Sequence, residues 1–275
     1  SQWGWPAWAY ERFAGKDWTK LRGARTVVPD ENHRRIVADD GKVFTTLRYI
    51  GPLVVLDAAT GKEIQTLSKV SPVRQLLYLD GVVLAYCGPS AKAERKIRRG
   101  KKGLGGQIVA IDGKTLKVLW RKKIPKITGL FFGAKNGRVV YQAGRKIFCR
   151  SVKDGSLLWS ADSLKGRPLN LIVLDDYVIV YVQNVIRVLS AERGEIVWEK
   201  KGVPPSRGGE SPDLFVVGDI IWRGMVPVNE QRKPVGKSAH VLAVGYDLKT
   251  GKVKRTIFVR NLRSPEHHHR CYRNK

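Results

Sequence analysis

Leu189-Ser190-Ala191-Glu192-Arg193-Gly194-Glu195-Ile196-Val197-Trp198 is one of five versions of a phrase that decides the fold. The others begin at Leu56-Asp57, Ile111-Asp112, Arg150-Ser151 and Tyr246-Asp247. The shared frame is a β-rich run, Asp or Ser, three mostly polar residues, a glycine, and a Trp four residues later. Its glycine column reads Gly61, Leu116, Gly155, Gly194, Gly251, with spacings of 55, 39, 39 and 57 residues. The Trp column reads Gln65, Trp120, Trp159, Trp198, Arg255. A strand ending in Asp or Ser, whose side chain can hydrogen-bond the turn backbone, followed by a residue suited to positive φ, predicts a β-hairpin.

Two further β-rich runs precede most hairpins, joined by their own turn signal. Examples are Gln75 to Tyr86 with Asp80-Gly81, Leu130 to Tyr141 with Asn136-Gly137, and Leu171 to Val182 with Asp175-Asp176. Asp-Gly and Asn-Gly between apolar runs are strong hairpin signals. Four strands in about 40 residues, repeated without a helical period, predict an all-β chain: a β-propeller of four-stranded antiparallel blades. About five blades are expected over residues 36–259, in a ring this chain leaves incomplete. Residues 1–35, with Trp3, Trp5, Trp8 and Trp18, read as a partial blade or the remnant of a preceding domain. Residues 260–275 read as the start of a further, truncated blade, so the sequence is expected to be a fragment. The two long spacings locate insertions between Gly88 and Gly106 and between Val226 and Ala239, both between the second and third strands of a blade.

Lys and Arg number 51 against 24 Asp and Glu in 275 residues, a formal charge of +27, with 43% apolar and 27% charged residues. That is the composition of a folded chain, not a disordered one. Asp175, Asp176, Asn184 and Arg187 interrupt the most apolar stretch, which excludes a helical membrane span there. Cys87, Cys149 and Cys271 are far apart and encode neither a disulfide framework nor a zinc ribbon.

The Asp-x-x-Thr-Gly-x-x-x-Trp phrase at 40-residue intervals resembles the tryptophan-motif repeats of PQQ-like β-propellers. That family spans quinoprotein dehydrogenases and noncatalytic scaffolds such as the outer-membrane assembly lipoprotein. The order Val37-Ala38-Asp39-Asp40-Gly41-Lys42-Val43-Phe44, followed by the phrase at 54–64, also looks like large planctomycete-like proteins carrying only this repeat. The resemblance implies that Trp120, Trp159 and Trp198 pack between neighbouring blades near a turn glycine, and that Gln65 and Arg255 depart from this. It also implies a periplasmic or extracellular location. For a dehydrogenase it would imply a quinone (PQQ) stacked on Trp, an adjacent-cysteine disulfide beneath it, and calcium held by Glu, Asn and Asp. The sequence has no adjacent cysteines, so its residues do not support PQQ or calcium.

His267, His269 and Cys271 share one face of an extended run and could ligate zinc or copper, against the alternative of a solvated histidine run. Asp39-Asp40 and Asp175-Asp176 sit at turn positions rather than as acid–base pairs. The glycine-rich Lys101 to Gly106 lacks a nucleotide-binding pattern. Positive charge concentrates in the acid-free stretch from Gly113 to Lys153 and in the insertion at 92–102. Lys96, Arg98, Arg99, Lys101 and Lys102 are the candidate polyanion contacts. The aromatics of the acid-free stretch, Phe131, Phe132, Tyr141 and Phe148, fall in strand-core alternation and argue against nucleic acid. An acidic polysaccharide remains a candidate partner. The first expectation is a noncatalytic scaffold binding other proteins or neighbouring domains of its own full-length chain. The alternatives are part of a quinoprotein-type oxidoreductase whose catalytic blades lie elsewhere, and a polyanion-binding module.

Overall fold

A computed structural model describes residues 35–47, 51–88, 105–166, 168–202, 214–233, 235 and 240–260. All regular structure among them is β. The strands are β1 (Ile36–Asp39), β2 (Lys42–Thr45), β3 (Leu53–Asp57), β4 (Glu63–Leu67), β5 (Val73–Leu79), β6 (Val82–Cys87), β7 (Gly106–Asp112), β8 (Val118–Ile124), β9 (Ile127–Lys135) and β10 (Arg138–Ala143). They continue as β11 (Lys146–Ser151), β12 (Leu157–Asp162), β13 (Pro168–Val173), β14 (Tyr177–Val182), β15 (Val185–Ser190), β16 (Ile196–Lys200), β17 (Leu214–Val217), β18 (Ile220–Val228), β19 (His240–Asp247) and β20 (Val253–Val259).

They form five antiparallel four-stranded sheets, each of four consecutive strands paired in chain order. These are the expected blades, numbered 1 to 5. The chain divides into two compact units: blades 1 to 3 lie in Ser1–Ser163, blades 4 and 5 in Leu164–Lys275.

Period-2 alternation on the second and third strands of a blade supplies both of its apolar faces. In blade 2, Val83, Ala85, Val109 and Ile111 cluster with Phe44, Leu53 and Val55 of blade 1. Their neighbours Leu84, Tyr86, Ile108 and Ala110 cluster with Phe132, Val139 and Tyr141 of blade 3. In the second unit, Ile179, Tyr181, Ile186 and Val188 of blade 4 meet Leu214, Ile221 and Tyr246 of blade 5.

Every blade also carries a register shift between its third and fourth strands, at Val55/Leu56, Ala110/Ile111, Cys149/Arg150, Val188/Leu189 and Gly245/Tyr246. The residue skipped on the fourth strand stands just before the Trp column. A bulge re-aims the side chains around it, here at the start of the strand that carries the indole.

Candidate functional site

The repeated phrase builds a turn whose residues hold each other. The backbone N–H of the glycine column donates to the carbonyl of the Asp or Ser four residues earlier: Gly61 to Asp57 at 2.8 Å, Leu116 to Asp112 at 2.9 Å, Gly155 to Ser151 at 2.9 Å, Gly194 to Ser190 at 2.8 Å and Gly251 to Asp247 at 2.8 Å. All five residues of that column have positive φ, Leu116 included at 59°.

In three copies the Asp carboxylate accepts both the amide and the hydroxyl of a Thr three residues on. Thr60 to Asp57 is 2.7 Å for each bond, Thr115 to Asp112 is 2.7 and 2.9 Å, and Thr250 to Asp247 is 2.9 Å for each. These bonds favour the ionised form and hold the three carboxyls below their ordinary value. In the third copy Asp154 takes the role, accepting the Ser156 amide at 3.0 Å and its hydroxyl at 2.7 Å, and is lowered to about 2.

The residue after the Asp or Ser then ties this turn to the one between the blade's first two strands. Ala58 donates to Gly41 at 2.8 Å, Gly113 to Gly81 at 2.7 Å, Val152 to Gly137 at 2.8 Å, Ala191 to Asp176 at 2.9 Å and Leu248 to Asp219 at 2.9 Å. Each blade thus has a latched end, where these two tied turns sit, and a far end, where its second and third strands are joined.

The Trp column joins one blade to the next. Trp120 Nε1 donates to the Val152 carbonyl at 2.7 Å, and Trp198 Nε1 to the Leu248 carbonyl at 2.8 Å. Each indole lies on the next blade's turn glycine. A Cβ on Gly155 would stand 2.8 Å from Trp120 Cε3, and one on Gly251 2.7 Å from Trp198 Cε3. The packing expected for Trp120 and Trp198 is therefore present, and Trp159 is buried. At the junction of blades 1 and 2 both columns change together. Gln65 replaces the Trp, and Leu116 replaces the glycine it would have covered, joining the apolar cluster of Phe44, Leu53 and Val55.

Polar groups are also buried. Arg223 hydrogen-bonds the hydroxyls of Tyr181 and Tyr246. Burial pushes both phenols up, a shift the nearby guanidinium opposes, and pushes Arg223 down. Arg150 Nε donates to the Tyr141 hydroxyl at 3.0 Å and its Nη1 to the Gly155 carbonyl at 3.0 Å. Arg35 and Arg74 are 6% and 5% exposed, with Arg35 Nε donating to the Arg74 carbonyl at 3.2 Å. The only sequence signal for these groups was an Arg inside an apolar strand, as in Ile220-Ile221-Trp222-Arg223.

The candidate metal residues His267, His269 and Cys271, and the candidate polyanion contacts Lys96, Arg98, Arg99, Lys101 and Lys102, lie outside the described residues. Among the described residues no cluster of His, Cys, Asp and Glu is arranged to hold a metal ion, and no helix is long and apolar enough to cross a membrane. Of the four aromatics placed in strand-core alternation, Phe131, Phe132 and Tyr141 are buried and Phe148 is half-buried against the same core. The folded blades divide the acid-free stretch between their two ends. Lys114, Lys117, Lys135, Arg138 and Lys153 belong to the latched end, whereas Lys123, Lys126, Arg145 and Lys146 belong to the far end.

Four-stranded blades, latched by an Asp- or Ser-led turn and joined by an indole on glycine, define a β-propeller of the tryptophan-motif type. The family profile described as outer membrane protein assembly factor BamB matches residues 104–264, and the chain belongs to that family.

Among solved structures, BamB from Moraxella catarrhalis is similar with a TM-score of 0.50 at 12% identity, over 82% of this chain and 72% of that one. A europium-containing methanol dehydrogenase gives 0.53 at 13% identity, over 82% and 61%. Kluyveromyces lactis Hsv2 gives 0.50 at 13% identity, over 78% and 60%. At these identities the likeness is one of fold. The chain spans less than two thirds of the latter two proteins. No curated protein sequence matches it.

Proposed function

We propose that this chain is a noncatalytic propeller scaffold, binding other proteins or neighbouring domains of its own full-length chain in the periplasm or outside the cell. Family membership supports a protein-binding role, since the matching profile is that of an assembly factor. The observation that carries the reading is the use made of the motif residues. The Asp57, Asp112 and Asp247 carboxylates are turn caps, and the Trp120 and Trp198 indoles are packed on the glycines of the next blade. These motif side chains are thus committed to holding the blades together.

The test has two arms on the purified full-length chain. Incubation with pyrroloquinoline quinone and calcium, then with a primary alcohol and an electron-accepting dye, is expected to give no dye reduction above a denatured control. Cross-linking in the native host, followed by reconstitution with the purified partner, is expected to give a stable complex on size exclusion. Quinone-dependent dye reduction would overturn the reading in favour of an oxidoreductase.

A further inference from the structure

Charge in the first unit is sorted between the two ends of its blades. At the latched end lie Asp39, Asp40, Asp57, Glu63, Asp80, Asp112 and Asp154, all on or beside tight turns. The reason is local: the turns recruit carboxylates as hydrogen-bond acceptors. The lysines and arginines of the same end stand among these acids.

Among its described residues the far end has no carboxylate-capped turn, the tight turn there being Gly144-Arg145 between β10 and β11, and its charge is different. Lys69, between β4 and β5, Lys123 and Lys126, around the β8–β9 connection, and Arg145 and Lys146, at the β10–β11 turn, are all exposed there. The acid among the described residues of this end is Asp162, cross-strand from Lys146. The surface rests on a fixed frame. Arg121 Nη1 donates to the Lys69 carbonyl at 2.9 Å, the Ile127 amide to the Tyr86 hydroxyl at 3.1 Å, and the Ser163 amide to the Arg145 carbonyl at 2.9 Å.

We infer that the far end of blades 1 to 3 is the partner-docking surface and that its occupant is an acidic segment of another protein. This rests on the scaffold reading above. Charge complementarity selects an acidic partner, since like charges across an interface are costly and opposite ones steer encounter. The aromatics nearby select protein over nucleic acid: Phe131, Phe132 and Tyr141 are buried in the blades, and Phe148 is half-buried and stacked on Tyr141 at 5.3 Å between ring centroids. The surface is built from described residues alone.

The experiment measures binding of a fluorescein-labelled, glutamate-rich 20-residue peptide to the full chain by anisotropy, at low and moderate salt. The far-end variant Lys123→Glu/Lys126→Glu/Arg145→Glu/Lys146→Glu is expected to weaken binding by about ten-fold or more. The latched-end variant Lys114→Glu/Lys117→Glu/Lys135→Glu/Lys153→Glu, with the same change in net charge, is expected to weaken it by less than about three-fold. The set made with Gln at the far end is expected to fall between wild type and reversal, and serves if reversal prevents folding. Equal losses in both variants would overturn the surface assignment, because the attraction would then be that of net charge. Heparin or single-stranded DNA binding more tightly than the peptide, with the same far-end dependence, would overturn the choice of occupant. Loss of peptide binding in neither variant, while the cross-linked complex still forms, would overturn this inference and leave the scaffold reading standing.

Discussion

Gly61, Gly155 and Gly251 are equivalent turn residues with φ of 70°, 70° and 68°, so an alanine at each meets the same backbone strain. They differ in what a Cβ would touch. At Gly61 nothing lies within 4 Å, whereas at Gly155 the Cβ would stand 2.8 Å from Trp120 Cε3 and 2.9 Å from Cδ2. Gly61→Ala should therefore cost only the left-handed penalty of a side chain, about 1 kcal/mol. Gly155→Ala adds carbon–carbon approaches well inside the optimum of about 3.5–4.0 Å. The indole must move, which costs about 1–3 kcal/mol as overpacking. Moving it also strains the 2.7 Å bond from Trp120 Nε1 to the Val152 carbonyl, whose net worth is about 1 kcal/mol. The sum for Gly155→Ala is about 3–5 kcal/mol, several times that of Gly61→Ala within the same unit. Urea denaturation followed by far-ultraviolet circular dichroism reads the difference as a shift in midpoint at constant slope. Adding Trp120→Leu to Gly155→Ala should reduce the effect of the glycine substitution to about that at Gly61. Equal destabilisation by Gly61→Ala and Gly155→Ala would refute the argument, because the turn backbone alone would then explain the column.

Gln65→Trp and Leu116→Gly should each destabilise, by about 1–3 kcal/mol, through overpacking and lost apolar burial respectively. The double variant should recover about 2 kcal/mol of their sum in a double-mutant cycle, and additive effects would show that the two columns are independent at this junction. Because the folded values of Asp57, Asp112, Asp154 and Asp247 are lowered, their stabilisation is complete above the unfolded carboxyl value and is lost as pH falls through the folded one. Thermal midpoints should be flat above about pH 5 and fall towards about pH 2, and Asp112→Asn with Asp154→Asn should flatten that limb. Burial pushes the Cys87 and Cys149 thiols up to about 12. Iodoacetamide at about pH 8 should leave both unlabelled in the native chain and label both in urea, by peptide mapping, as expected of buried thiols.

The fold was legible because its signals are local. An Asp or Ser, a spacer and a glycine specify a turn whatever surrounds them, and alternation on β6 or β14 specifies a strand with two apolar faces. The expectation that Trp120 and Trp198 pack near a turn glycine held as well, though it came from family resemblance. What residue chemistry alone could not supply was the partner of each indole, since Val152 and Leu248 are brought there by the stacking of one blade on the next. The exchange of Trp for Gln65 and of glycine for Leu116 looks in sequence like two unrelated departures. It becomes one feature only when blade 1 and blade 2 are packed.

The sequence by itself determined four-stranded blades, their number in the described region and the place of the insertions, because hydrogen-bonded turns and period-2 strands depend on neighbours a few residues away. Only the tertiary structure decided where the charge lies. Each hairpin reverses the chain, so Lys117 and Lys126, nine positions apart, stand at opposite ends of a blade. The acid-free stretch is divided between an end where turn-capping carboxylates surround its lysines and an end where Lys69, Lys123, Lys126, Arg145 and Lys146 stand against Asp162.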